Sequence, residues 1–146
     1  MPEALDRKIS QIVDREAPRL RGLKPAETTA SRAPGKWTRK EILGHLIDSA
    51  ANNHQRFVRA QLSAELAFPG YAQNDWNRVQ GYPEEEWTVI VDLWCALNRH
   101  LAHIVSRIPA EKMNVPCRIG DGAPLSLEAL IADYIRHVEH HLEQLA

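Results

Sequence analysis

Three histidines are the residues of this chain whose types and spacing best suit chemistry. His137 and His141 follow the H-x-x-x-H spacing, in which two imidazoles one helical turn apart can bind one metal ion. With about 100° of rotation per residue, both lie at the edge of the apolar stripe of the last predicted helix, whereas His140 points away. His45 has the same position beside the apolar stripe of an earlier predicted helix. Three imidazoles with a fourth position open form a metal site suited to catalysis.

Polar side chains follow His45 along the same side of its predicted helix, which is typical of a functional cleft. Asn52 on this side and Asp75 in a later loop are predicted to take part in catalysis. Arg56 and Tyr71 are predicted to bind substrate, because a guanidinium group suits an anionic partner. His54, His103 and His140 are predicted to face elsewhere and serve as internal controls.

Acidic residues stand one helical turn before two of the three histidines, Glu41 before His45 and Asp133 before His137. Such carboxylates can accept a hydrogen bond from an imidazole and fix its orientation. The alternative is a pair of ordinary surface contacts, with Glu41 serving to cap its helix. A fourth protein ligand is not obvious, and His100 is the nearest candidate.

Motifs for several other chemistries do not occur in this sequence. A di-iron bundle needs E-x-x-H, and no Glu is followed three residues later by His. The H-E-x-x-H and G-x-S-x-G motifs and glycine loops that cradle phosphate are also missing.

Four amphipathic helices must position these side chains. The first is predicted from about residue 2 to residue 17, ended by Pro18. The second begins after Thr38, where Glu41 completes a capping box, and runs to about residue 64. The third opens at Pro83 and the fourth near Ser126, each with an apolar stripe at helical spacing. The sequence therefore predicts an all-α fold, a four-helix bundle that forms one domain over residues 1–146.

Two long connections complete the predicted bundle. Residues 65–82 contain several aromatic side chains, and we expect this loop to lie over the mouth of the histidine cleft, with Asp75 or Tyr71 near the metal. The alternative is that it only covers the hydrophobic end of the bundle. Residues 109–125, with Gly120-Asp121-Gly122 at their centre, suit a short β-hairpin.

Composition excludes several classes of protein. The 146 residues carry 18 basic and 19 acidic side chains, so no nucleic-acid partner is expected. No apolar run approaches the roughly 18 residues that a membrane span needs. Cys95 and Cys117 form no C-x-x-C pair, and we expect two reduced thiols. The start of the chain has no secretory signal pattern, which favours the cytoplasm.

Two segments resemble signatures of the DinB/YfiT-like metalloprotein superfamily. The stretch from Trp37 to Leu46 is similar to its second-helix signature, and the stretch from Tyr134 to Gln144 is similar to its last-helix signature. Residues 71–76 and 80–82 resemble a loop motif of one branch. The resemblance implies an up-down-down-up four-helix bundle, often a homodimer, with a divalent metal such as zinc or nickel. Carried over by position, the ligands are His45, His137 and His141, the same three that the helix geometry selects.

The family includes thiol-dependent S-transferases, a mycothiol-dependent isomerase and proteins described as metal-dependent hydrolases. The main hypothesis is therefore a metal-dependent enzyme that activates water or a low-molecular-weight thiol cosubstrate to act on a small molecule. The alternative is a non-catalytic stress or scaffold protein whose metal only stabilises the bundle. An open coordination position inside a pocket would favour the enzyme.

Overall fold

The computed structural model describes residues 4–145, which form six α-helices and a small sheet. The helices are α1 (Leu5–Arg21), α2 (Pro25–Thr29), α3 (Arg39–Ala60), α4 (Gln73–Gln80), α5 (Trp87–Ser106) and α6 (Leu127–Glu143). The strands are β1 (Leu66–Phe68), β2 (Pro116–Ile119) and β3 (Leu125–Ser126). Helices α1, α3, α5 and α6 are the four long elements of the predicted bundle.

Ion pairs show how α1 and α5 run relative to each other. Arg99 lies 3.1 Å from Asp14, and Arg21 lies 2.7 Å from Asp92. The end of α1 therefore meets the beginning of α5, and the two helices are antiparallel.

Contacts of α6 show how it runs relative to α1 and to α3. Arg19, near the end of α1, donates a hydrogen bond of 3.1 Å to the backbone oxygen of Leu145, so α1 and α6 are parallel. The rings of Phe57 and Tyr134 lie 5.9 Å apart, and the beginning of α3 meets the end of α6, so those two are antiparallel. The topology is the expected up-down-down-up bundle, with α3 between α5 and α6.

The apolar stripes of the four long helices meet in one hydrophobic core, as their spacing predicts. The largest fully buried side chains come from every long helix and from the segment that precedes α5: Trp94, Tyr82, Phe57, Leu20, Ile42, Leu43, Leu46, Ile90, Leu101, Leu127, Ile131 and Leu142.

Two helix starts agree with their sequence signals. The hydroxyl of Thr38 accepts from the backbone N–H of Glu41 at 3.2 Å, and the Glu41 carboxylate accepts from the backbone N–H of Thr38 at 3.0 Å. Ser126 caps α6 by accepting from the backbone N–H of Ala129 at 3.1 Å. Each cap satisfies amide groups that the first turn of a helix leaves unpaired. These caps fix the rotation of α3 and α6, and so the direction of their histidines.

The prediction that Pro18 ends the first helix is wrong, because α1 continues to Arg21. Contacts within the bundle outweigh the lost backbone hydrogen bond. Leu20 is completely buried, and Arg19 binds both Glu16, at 2.6 Å, and carbonyl oxygens at the end of α6. The predicted residues 2 and 3 of this helix lie outside the described part of the chain.

The predicted boundaries of the second and third helices also need correction. Helix α3 ends at Ala60, where the chain turns so that Leu66 enters the core while Leu62 stays 79% exposed. Helix α5 begins at Trp87, because Tyr82–Glu84 form a separate 3-10 turn. Gly81 enters that turn at a φ of 66°, a conformation that glycine adopts without strain.

The two long connections share a three-stranded sheet. Strands β2 and β3 are the predicted antiparallel hairpin, and β1 pairs in parallel with β2, with Leu66 opposite Cys117. The strand within residues 65–82 was not predicted, since three residues are too few to show a periodicity. The sheet therefore joins the loop over the histidine cleft to the hairpin that precedes α6.

Two further expectations from composition can be compared with the fold. Cys95 and Cys117 are both buried free thiols. Over residues 4–145, no helix combines the length and the apolar character that crossing a membrane requires.

Candidate metal centre

The three predicted ligands converge where the beginning of α3 crosses the end of α6. The Nε2 atoms of His45 and His137 lie 3.2 Å apart, and their ring centroids are 5.0 Å apart. The ring of His141 lies 4.8 Å from that of His45 and 4.5 Å from that of His137. Each residue offers one ligand nitrogen within 4.8 Å of the others. Two nitrogens at 3.2 Å have the separation of ligands bound about 2.1 Å from one ion.

Burial keeps two of these imidazoles neutral. Desolvation, followed by the charges of His137 and His141, lowers the pKa of His45 from 6.5 to about 4. Desolvation, followed by the charges of His141 and His140, lowers the pKa of His137 to about 4. Neutral imidazole is the form that binds a metal, so both rings are ready for coordination at neutral pH.

The third imidazole is oriented by a neighbour on its own helix. The Nδ1 of His141 lies 2.9 Å from the amide oxygen of Gln144, which can only accept a hydrogen bond. In the tautomer in which Nδ1 donates to this oxygen, the Nε2 lone pair of His141 is available for a metal. The ring of Trp37 also lies beside the cluster, with its centroid 5.1 Å from that of His45.

The two acidic residues next to the histidines have other partners. The Glu41 carboxylate caps α3, and within the described chain the buried Nδ1 of His45 has no hydrogen-bond partner. Glu41 therefore caps its helix and does not orient the imidazole of His45. Asp133 forms an ion pair with Arg136 and remains half-buried.

His100, the nearest candidate for a fourth ligand, lies apart from the three histidines. Its ring lies 5.3 Å from that of His54 and 6.3 Å from that of His103, outside the group that could share an ion. Over residues 4–145, that group contains three ligands and no carboxylate or thiol. Three imidazole ligands fit zinc, nickel or another late first-row metal better than calcium or magnesium. They leave at least one coordination position to another molecule.

A cavity of about 250 Å³ opens beside the histidines. Its walls come from α3, α6 and the segment 65–82: His45, Ser49, Asn53, Arg56, Tyr71, Gln73, Leu130, Asp133, Tyr134 and His137. A second hollow lies beside His141, with Trp37, Asn74 and Gln144 among its walls. Tyr71 and Gln73 of the loop thus line the cavity beside His45 and His137, and Asn74 lines the hollow beside His141.

Both predicted substrate-binding residues line this cavity, Arg56 from α3 and Tyr71 from the loop. Arg56 is only 8% exposed, and its guanidinium carbon lies 5.5 Å from the ring centroid of Phe68. Tyr71 is half-buried, and desolvation and the Asp48 charge raise its pKa to about 12, so it stays a neutral phenol.

The two predicted catalytic residues do not line this cavity. The side-chain amide of Asn52 donates to the backbone oxygen of Asp48 at 2.8 Å, while its neighbour Asn53 faces the cavity instead. Asp75 is exposed on α4 and forms an ion pair with Arg78 at 3.2 Å. Catalytic roles for Asn52 and Asp75 therefore stay predictions.

A buried polar cluster beneath the loop was not predicted. One carboxylate oxygen of Asp48 accepts from Gln80 and from the hydroxyl of Tyr82, both at 2.7 Å. Burial raises the pKa of Asp48, although these two hydrogen bonds oppose the shift. Asp48 is an acidic residue inside the apolar run of α3, and this is the sequence signal that could indicate such a cluster. Its partners could not be predicted, because they lie more than thirty positions later in the chain. The cluster holds the chain after α4 against the helix that carries His45.

Sequence comparison agrees with this architecture. Residues 10–145 match the model of the DinB superfamily. A protein of Halalkalibacterium halodurans named "Putative metal-dependent hydrolase" is 23% identical over 119 residues, which are 82% of this chain and 69% of the relative. A protein of Bacillus mycoides with the same kind of name is 22% identical over 144 residues, 95% of this chain and 82% of the relative.

Two solved structures share the fold. YfiT from Bacillus subtilis, described as a probable metal-dependent hydrolase with an unusual four-helix bundle topology, aligns with a TM-score of 0.81 at 18% identity. That alignment covers 94% of this chain and 81% of YfiT. A mycothiol-dependent maleylpyruvate isomerase aligns with a TM-score of 0.77 at 15% identity, over 97% of this chain and 60% of the isomerase. The family match spans nearly all of the sequence, and the chain belongs to the DinB superfamily.

Proposed function

We propose that this protein is a metal-dependent enzyme that acts on a small molecule. The observation that carries the proposal is the convergence of His45, His137 and His141 beside a cavity, with two of the imidazoles neutral at neutral pH. The proposed cofactor is one divalent ion, zinc or nickel. When bound, such an ion supplies Lewis acidity, which lowers the pKa of a water molecule or a thiol and so provides a nucleophile near neutral pH.

The chain itself would bind and orient the reactants. The three histidines would hold the ion, and the phenol of Tyr71 and the guanidinium of Arg56 line the cavity as proposed substrate contacts. Tyr71, Gln73 and Asn74 line the hollows beside the histidines, and a substrate bound there would displace water, which strengthens polar interactions inside the site. Hydrolysis and thiol transfer differ in which nucleophile enters. A low-molecular-weight thiol is a proposed cosubstrate because a structural relative is named as mycothiol-dependent.

The second proposal is a non-catalytic bundle that the metal only stabilises. A structural zinc site usually has four protein ligands, and residues 4–145 bring three together. The number of ligands therefore favours the enzyme.

Metal analysis of protein purified without a histidine tag tests the proposal first. We expect about one equivalent of zinc or nickel per chain, followed by turnover in a screen of thiol-transfer and hydrolysis substrates. Metal without turnover across both screens would favour the stabilising role. A protein that binds neither zinc nor nickel would contradict both proposals. Asn52→Ala and Asp75→Ala belong in the same screen, since a loss of turnover with unchanged metal content would assign them a catalytic role.

A further inference from the structure

Arg56 is a buried cation without an anionic partner. Its side chain is 8% exposed, and no carboxylate among residues 4–145 forms an ion pair with it. Its Nε is buried without a hydrogen-bond acceptor. Burial also lowers the pKa of the guanidinium, which remains charged at neutral pH. An unpaired buried charge is costly, and a protein that retains one usually pairs it with something it binds.

Two acidic residues lie near the cavity, and neither forms an ion pair with Arg56. Asp133 is paired with Arg136. One oxygen of Asp48 accepts from Gln80 and Tyr82, and its other oxygen is buried without a hydrogen-bond partner. Neither satisfies Arg56, which is the cation that lines the cavity.

An aromatic ring lies beside the guanidinium of Arg56. The guanidinium carbon is 5.5 Å from the centroid of the Phe68 ring, within the range of a cation–π contact. Such a contact uses the face of the ring as its partner and no N–H acceptor, and the N–H edge of a guanidinium matches the two oxygens of a carboxylate. Tyr71 lines the same cavity, and its neutral phenol can donate a third hydrogen bond to the same group.

The distance along α3 separates this subsite from the histidines. Arg56 follows His45 by eleven residues, which is about 16 Å along a helix. A long side chain on a helix points back towards the N-terminus, so the guanidinium lies closer to the histidines than its backbone does. The cavity of about 250 Å³ that joins them is smaller than pockets for drug-sized ligands.

From this arrangement we infer that the substrate carries a carboxylate several bonds from its reacting atom, held by Arg56 and Tyr71 while that atom lies at the histidines. The inference rests on the proposed metal site, and it adds the class of substrate: a small, elongated carboxylic acid. Asn53, whose side-chain oxygen is buried without a donor, faces a different part of the ligand, one with an N–H or O–H group.

A pair of bifunctional probes tests the inference on the cobalt-loaded protein. The probes are 6-mercaptohexanoate and 6-mercaptohexanol, whose thiolates give a charge-transfer band when they bind the metal. We expect the carboxylate probe to bind about 10- to 100-fold more tightly to the wild type, as for a hydrogen-bonded charge. Arg56→Met should remove the difference, whereas Arg56→Lys should keep part of it, because it retains the charge without the fork. Equal binding of the two probes by the wild type would overturn the inference, and so would a preference that survives in Arg56→Met.

The metal-free protein separates this inference from the proposed function. Hexanoate should raise the melting temperature of the wild type and leave that of Arg56→Met unchanged, with hexanol as the neutral control. The unliganded Arg56→Met variant should melt at or above the wild-type temperature, since it loses an unpaired buried charge. A clear fall would mean that Arg56 serves the fold, which would overturn the subsite. If no metal and no thiolate band appear while these shifts hold, the proposed function fails and the carboxylate subsite stands.

Discussion

The ring of Tyr82 occupies the space that a side chain at position 44 would need. A Cβ atom added to Gly44 would lie 2.2 Å from this ring, and Tyr82 is itself 2% exposed. The contact places the turn before α5 directly against α3, one residue before His45. The contact also brings the Tyr82 hydroxyl within hydrogen-bond distance of Asp48. The absence of a side chain at Gly44 thus allows the segment before α5 to pack beside the candidate metal centre.

Gly44→Ala should destabilise the protein although alanine is the better helix former. The methyl group would displace a buried aromatic ring, and overpacking of this kind costs about 1–3 kcal/mol in the free energy of unfolding. Urea denaturation measures the change. Gly22→Ala is the matched control, because a Cβ there meets only backbone oxygens at 3.5 Å. Equal stability of Gly44→Ala and wild type would show that the ring is free to move.

Alanine substitutions at the histidines should separate ligands from neighbours. His45→Ala, His137→Ala and His141→Ala should each lose stoichiometric metal, measured by elemental analysis. His54→Ala, His103→Ala and His140→Ala should retain it. His140 is the most demanding control, because its ring lies 5.2 Å from that of His141 and yet it is exposed. Loss of metal in His140→Ala with retention in His137→Ala would contradict the assignment.

The metal-free protein should lose stability as the pH falls from about 6.5 towards 4. The native state depresses the pKa of His45 and His137 from 6.5 to about 4. Between these values the unfolded chain binds more protons than the native one, so acid favours unfolding. Each histidine contributes at most about 3 kcal/mol, which solvent screening reduces at the half-buried His137, and the effect is complete once the pH passes below the native values. Urea midpoints recorded from pH 7.5 to 4 give the curve, and the double variant His45→Gln, His137→Gln should flatten it.

Asp48 should hold residues 73–84 against α3 through the carboxylate oxygen that accepts from Gln80 and Tyr82. Asp48→Ala removes the acceptor for Gln80 and Tyr82, and a lost hydrogen bond with buried groups left unpaired costs about 1–3 kcal/mol. Asp48→Asn keeps an oxygen at this position and should cost less. Hydrogen exchange of residues 73–84 reports the effect, with faster exchange expected in Asp48→Ala than in Asp48→Asn. The same exchange rate in both variants would mean that the accepting oxygen of Asp48 does not hold this segment in place.

A homodimer remains a prediction for which the surface offers a specific test. Val89 and Leu93 lie one turn apart on the outer face of α5, 47% and 46% exposed, and Val79 of α4 is 70% exposed. Exposed apolar groups at helical spacing are typical of a helical interface. Sedimentation equilibrium should give twice 16.6 kDa for the wild type and a lower mass for Leu93→Glu. A wild-type mass of 16.6 kDa at micromolar protein would contradict the dimer.

Local signals predicted the parts of the fold that local interactions determine. The caps at Thr38 and Ser126 need only residues within one turn, and both helix starts are where the sequence places them. The three candidate ligand histidines could be selected for a similar reason, because helix phase depends on spacing alone. Pro18 shows the limit of such signals, since tertiary contacts continue the helix through it.

The interior of the site depends on contacts between distant segments. The helix phase placed Arg56 on the cavity wall, but its lack of a partner only becomes visible once all the acidic side chains have positions. The helix phase selects Asn52, but Asn53 lines the cavity, because an angular argument on one helix cannot tell which of two adjacent amides a neighbouring segment will face. Strand β1 gave no signal, because its partner β2 lies fifty residues later.

The antiparallel crossing of α3 and α6 also sets an order of events during folding. His45 and His137 are 92 positions apart, and the helices that carry them meet only when the chain between them has formed its own contacts. Pairings between distant segments form late, because closing a long loop costs entropy before the contacts can repay it. An ion that arrives early would find isolated imidazoles, or the weak pair on α6. We therefore expect the ion to enter a bundle that has already folded, so that the rate of loading depends on passage past residues 71–74 rather than on the rate of folding.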